Sequence, residues 1–149
     1  MGLSGISVVR GLVAATVVAG LAGCATVGNE PQQVKAVYHL TSGLDEAQRA
    51  MGNIRNHLNA DPKAKIVVVG NGNGIEFMLD GAKDRNGNPF DATIQDLKAK
   101  GVDFRLCNNT LVTRKIDKSK VIAEVVIVES GVAEAAKLQI REGFAYLRP

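Results

Sequence analysis

Lys65-Ile66-Val67-Val68-Val69-Gly70-Asn71-Gly72-Asn73-Gly74 is the stretch that decides the fold. Its first half is a continuous β-branched run, the pattern of a central strand covered on both faces. Its second half is a glycine–asparagine turn at the point where such a strand gives way to a helix. Apolar strand-like runs alternate with helical patterns on either side of it, which predicts an α/β domain with a mainly parallel sheet flanked by helices.

Upstream, Val34–Leu40 is the expected first strand. Ser42-Gly-Leu-Asp45 has the form of a capping box, and Leu44, Ala47, Met51, Ile54 and Leu58 then recur at helical spacing. That helix ends before Asp61-Pro62. Downstream of the glycines a short helix is expected from Ile75 to Leu79 or Asp80, followed by the turn-rich loop Ala82–Pro89. Phe90, Ile94 and Leu97 mark the next helix, with Gly101 at its left-handed end. Val102–Cys107 is a strictly alternating third strand, and the polar segment Asn108–Lys120 has room for a short helix or two. Glu124–Val128 is the fourth strand. Ser130 caps a last helix running to Arg141, after which Phe144 and Tyr146 fold back onto the body.

In an open parallel sheet, ligands bind beyond the carboxyl ends of the strands, where loops and helix N-termini converge. Those ends here carry His39, Thr41 and Ser42; Asn71 and Asn73; Cys107, Asn108, Asn109 and Thr110; and Glu129 with Ser130. Alternation puts Cys107 on the same strand face as Asp103 and Arg105, opposite Val102, Phe104 and Leu106. A helix starting at Asn109 or Thr110 would bring its positive end near the sulfur and lower its pKa. The residues alone leave two roles open for Cys107, an inert packed thiol or a reactive one.

Gly70–Gly74 also has two readings, a tight strand-to-helix turn or a loop lining a ligand pocket. It is not a dinucleotide fingerprint, because Ile75 stands where a further glycine is needed and the cluster follows the second strand. There is no phosphate-loop lysine. His39 and His57 lie on different elements with no second cysteine at ligand spacing, so no zinc or other metal site is expected. No nucleophile-elbow pattern supports a Ser-His-acid triad.

The amino terminus adds an address. Arg10 is followed by the short apolar run Gly11–Gly20, the layout of a secretory signal peptide over residues 1–23. Leu21-Ala22-Gly23-Cys24 resembles the lipobox of bacterial lipoproteins, which implies lipidation of Cys24 and a membrane partner reached through the lipid. By the sorting rule of the Gram-negative lipoproteins it resembles, Ala25 after that cysteine implies the outer membrane, facing the periplasm. Residues 24–33 are a small, polar tether, and residues 34–149 form the domain. Once Cys24 carries lipid, Cys107 is a lone thiol with no internal disulfide partner.

Composition excludes other classes. The chain has 149 residues, with 18 basic and 15 acidic side chains, of which only Arg10 lies in residues 1–23. The rest is close to neutral, which argues against a nucleic-acid partner. With no Trp, two Tyr and four Phe, stacking platforms for bases are also not expected.

Ile54-Arg-Asn-His-Leu58, Gly70–Phe77, Leu97–Val102, Cys107-Asn-Asn-Thr-Leu111, Ser130-Gly-Val-Ala-Glu134 and Glu142-Gly-Phe-Ala-Tyr146, in that order and spacing, resemble the DsrE/DsrF-like family across residues 34–149. The resemblance implies a flavodoxin-like α/β domain that assembles as homo-oligomers, trimers or hexamers. It further implies that Cys107 carries sulfur as a persulfide and passes it between a donor and an acceptor protein, with no cofactor. In that reading Arg105 or the following helix start stabilises the sulfur anion, Asn108, Asn109 and Thr110 shape the pocket, and His39, Asn71 or Asn73 lines its mouth. The alternative is a non-catalytic ligand-binding or assembly module in which Cys107 only packs.

Overall fold

The computed structural model describes residues 1–2 and 32–149. The expected signal peptide, Cys24 and all but the end of the tether therefore lie outside the described residues. Five strands form one sheet in the order β4-β3-β2-β1-β5. They are β1 Lys35–Leu40, β2 Lys65–Gly70, β3 Asp103–Cys107, β4 Val126–Val128 and β5 Ala145–Leu147. Every pairing is parallel, and the predicted α/β fold is the one observed.

Four α-helices connect them: α1 Leu44–Ala60, α2 Phe90–Ala99, α3 Asn108–Arg114 and α4 Gly131–Glu142. The larger core lies on one face of the sheet, where Tyr38, Leu40, Ile66, Val68, Phe104 and Leu106 meet Met51 and Ile54 of α1 and Ile94 and Leu97 of α2. On the other face Val37, Val67 and Val69 pack with Leu138 of α4 and Phe144. Val67, Val68 and Val69 are fully buried between these two layers. Burial on both faces is what removes the alternation from their sequence.

Four details depart from the sequence expectations. The segment after the glycine turn is a 3-10 helix over Gly72–Met78, starting earlier than Ile75. Close packing sets its path. A β-carbon on Gly74 would lie 2.0 Å from the Leu40 carbonyl oxygen, and one on Gly70 would lie 2.6 Å from that of Gly74. The fourth strand shrinks to Val126–Val128, because the Val125 N–H turns back to the Ile122 carbonyl. Phe144 and Tyr146 do fold back, and they do so around a fifth strand, β5, paired with β1.

The capping box is the fourth difference. Gly43, not Ser42, is the N-cap of α1, and no side chain caps it. The frame is shifted by one residue, so Glu46 occupies the third helical position and reaches back. Its carboxylate, 3% exposed, accepts the N–H groups of Thr41 and Ser42 at 2.6 Å each. A half-box built on Glu46 thus fixes the loop leaving β1.

Candidate functional site

Parallel pairing brings all strand carboxyl ends to one edge, and a cleft of about 470 Å³ opens there between the Gly70–Gly74 loop and the starts of α3 and α4. Cys107 stands in its wall. It ends β3 and is the N-cap residue of α3, on the face covered by α4, as alternation from Arg105 requires. Only 4% of it is exposed.

Two helix starts converge on the sulfur. A β-carbon on Gly131, the first residue of α4, would lie 3.1 Å from the Cys107 β-carbon, so the N-terminus of α4 presses directly against the thiol. Cys107 makes no side-chain capping bond of ordinary geometry to α3. The nearby N–H groups therefore act on it as aligned dipoles. Burial pushes the thiol up. It is outweighed by the Gly131 N–H, the Thr110 hydroxyl and N–H and the Asn109 N–H, and the net effect holds the thiol below its ordinary value. Asn109 contributes a shared donor, since its N–H also reaches the Glu129 carbonyl at 3.2 Å.

Thr110 has a second task. Its Oγ1 accepts the Gly72 N–H at 3.0 Å, which leaves its own proton to be donated toward the sulfur. Arg114, one turn further along α3, donates to the Gly72 carbonyl at 3.4 Å and to Glu76 at 3.2 Å. These bonds tie the glycine loop to α3. Among the described residues, Arg114 is the one charged side chain in the cleft wall, and no carboxylate lines it. The groups that favour a negatively charged sulfur at Cys107 are the Gly131, Thr110 and Asn109 donors, while Arg114 is paired with Glu76.

A model of the DsrE/DsrF-like family matches residues 27–149. The chain belongs to the DsrE/DsrF-like family. A solved protein of unknown function from Methanobacterium thermoautotrophicum is 25% identical, with a TM-score of 0.68 over 78% of this chain and 100% of that one. The ychN protein from E. coli shares the fold at 17% identity, with a TM-score of 0.62 over 79% of this chain and 99% of its own. No curated protein matches the chain.

In this DsrE/DsrF-like chain the expected site residues divide. Asn71, Asn73, Asn109 and Thr110 line the cleft with Cys107. His39, Arg105 and Asn108 do not. His39 lies on β1, separated from β3 by the whole of β2, and is 6% exposed. It touches Asn71 instead, its Nε2 2.7 Å from the amide oxygen. Arg105 lies outside the cleft lining, with its guanidinium engaged by Glu134 of α4 and flanking Asp103 at 3.9 Å. Anion stabilisation therefore falls to the helix starts. The Asn108 side-chain oxygen is buried without a protein partner.

Three lining residues were missed in the sequence: Thr113, Arg114 and Val132. The first two had a readable signal. They follow Thr110 by three and four positions, so any helix placing Thr110 at the cleft places them there too. Val132 becomes a wall residue only through the docking of α4, which has no local signature. The glycine cluster is a tight turn that also borders the cleft. Gly70 and Gly74 serve close packing, while Asn71, Gly72 and Asn73 line the cleft.

Proposed function

We propose that this protein carries sulfane sulfur as a persulfide on Cys107. Family membership supports a sulfur-relay role, and one observation carries its assignment to this residue. The thiol stands where the start of α4 and the Thr110 hydroxyl and N–H favour its anion, inside a wall to which the described residues contribute no carboxylate.

The chemistry needs no net redox change. The Cys107 thiolate attacks the outer sulfur of a donor persulfide or thiosulfonate. A new S–S bond forms, the donor's S–S bond breaks, and its electron pair leaves with the donor thiolate or sulfinate. In the return step an acceptor thiolate attacks the outer sulfur and Cys107 leaves as the thiolate. A depressed thiol pKa serves both steps, since it supplies the nucleophile first and the leaving group afterwards. No metal or nucleotide takes part in this scheme.

The signal peptide and lipobox support a setting at the periplasmic face of the outer membrane, with the chain anchored through Cys24. Homo-oligomers and separate donor and acceptor proteins belong to the same reading. The competing role, a binding module with a packed thiol, draws on the 4% exposure of Cys107. It leaves the convergence of N–H donors without a purpose.

Incubation with a sulfane-sulfur donor, removal of the excess and treatment with cyanide separates the two. The native chain should release thiocyanate in a ratio approaching one per chain, and Cys107→Ser should release none. A reduced, alkylatable native thiol that yields no thiocyanate would refute the carrier role and leave the binding module standing.

A further inference from the structure

A row of polar side chains crosses the sheet on the α4 face and ends at Cys107. Side chains alternate along strands, so His39 shares its face with Val37, Asn71 continues the face of Val67 and Val69, and Cys107 shares that of Arg105. Tyr146 of β5 stands level with Val37, and His39 stands level with Val69. One step beyond the last pair, Gly70 with Leu106, Asn71 comes level with Cys107. The row thus climbs toward the carboxyl edge, strand by strand.

Hydrogen bonds join it. Tyr146 Oη lies 2.8 Å from His39 Nδ1, and His39 Nε2 lies 2.7 Å from Asn71 Oδ1. An amide oxygen only accepts, so Nε2 bears a proton and donates to Asn71; in the tautomer whose one ring proton is on Nε2, Nδ1 accepts from the tyrosine hydroxyl. In that tautomer donation runs in one direction, from β5 to Asn71. With its oxygen held, Asn71 has its Nδ2 hydrogens left to donate within the cleft it lines. The Asn71 and Cys107 β-carbons each lie 3.1 Å from the point where a Gly131 β-carbon would be, so the two side chains are rooted next to each other.

We propose that, once Cys107 becomes an anion, Asn71 turns its Nδ2 to donate a hydrogen bond to that sulfur, and that His39, held by Tyr146, is a positioning residue that fixes the orientation of that amide. The proposal rests on Cys107 being the sulfur-bearing group. A free amide turns either end toward its neighbour, and its oxygen would repel a thiolate. Locking Oδ1 onto a buried imidazole removes that orientation, and donation along the row polarises the final N–H. The same device links strand β5, at the far edge of the sheet, to the thiol.

The test is the pH dependence of Cys107 alkylation in the full chain, with melting temperature and sulfur loading measured alongside. Of the charged groups around Cys107, Arg114 lines the cleft, Arg105 is engaged by Glu134, and Glu129 and Glu134 line a separate groove along α4. The variants alter none of these. Asn71→Ala should move the midpoint to higher pH and slow alkylation at neutral pH about tenfold, the effect of losing one hydrogen bond to a charged group. Asn71→Asp should raise the midpoint further.

Tyr146→Phe, at a residue 42% exposed, should shift it the same way with a rate loss of about twofold, through the weakened row. A merely structural role would lower the melting temperature and leave the midpoint in place. A native midpoint in Tyr146→Phe together with one in folded Asn71→Ala overturns the proposal. If Asn71→Ala does not fold, the Tyr146→Phe midpoint decides alone. Sulfur loading is the separate arm: a native chain that alkylates readily but takes up no sulfur overturns the persulfide reading, while the midpoints still decide the role of Asn71.

Discussion

Cys107 and Glu46 show how single residues carry the account. The thiol of Cys107 is held below its ordinary value of 9.0, with burial opposing and the Gly131 and Thr110 donors prevailing. A depressed folded pKa means that the thiolate contributes stability which is fully present above the unfolded value and is lost as pH falls through the folded one. The native chain should therefore lose stability relative to Cys107→Ser as pH is lowered from about 9 toward neutrality, measured as paired urea midpoints. Parallel curves for the two proteins would contradict a stabilised thiolate. Glu46 is a structural counterpart, a buried carboxylate occupied by two backbone N–H groups. Glu46→Ala should lower unfolding free energy by about 2 kcal/mol, because it strands both donors, and chemical denaturation would measure it. The exchange of Ser42 for Glu46 as the organising residue was not legible in the sequence. Ser42-Gly-Leu-Asp45 and Gly43-Leu-Asp-Glu46 are overlapping frames of one motif, and only the turn leaving β1 chooses between them.

Elements explain what was legible and what was not. The β2 run and the periodic stripes of α1 and α2 could be read directly, since burial on one or two faces writes itself into local pattern. Strand β5 was not, because three residues at a sheet edge carry almost no periodicity and owe their pairing to β1. The cleft was half legible: Cys107, Asn71, Asn73, Asn109 and Thr110 follow from strand ends, whereas the displacement of Arg105 depends on Glu134, a residue of a helix that docks from elsewhere. That same docking makes Gly131 an informative position. Gly131→Ala adds a good helix former worth about 1 kcal/mol to α4. Its methyl would meet the Asn71 and Cys107 β-carbons at 3.1 Å and the Gly70 carbonyl at 3.3 Å. Overall stability should change little while Cys107 alkylation slows several-fold, as α4 is pushed off the thiol. An unchanged rate would mean that α4 does not govern the sulfur.

For the whole molecule, the parallel sheet supplies a single reactive edge, and the proposed lipid on Cys24 leaves Cys107 as the one thiol that can work there. A lone thiol has no internal disulfide partner, so its cycle must be completed by another molecule, which suits a relay better than a self-contained oxidoreductase. Thr110 and the helix starts favour anionic sulfur, and the proposed row from Tyr146 to Asn71 ties the far edge of the sheet to that preference. All of this depends on sulfur bound at one atom. Intact-mass spectrometry of the full chain after exposure to a sulfane-sulfur donor, with fragmentation to locate the added mass, tests that directly. The expected result is a gain of whole sulfur atoms on Cys107, reversed by a thiol acceptor and absent from Cys107→Ser. A reduced and accessible Cys107 that gains no sulfur, or a gain that persists in Cys107→Ser, would contradict it.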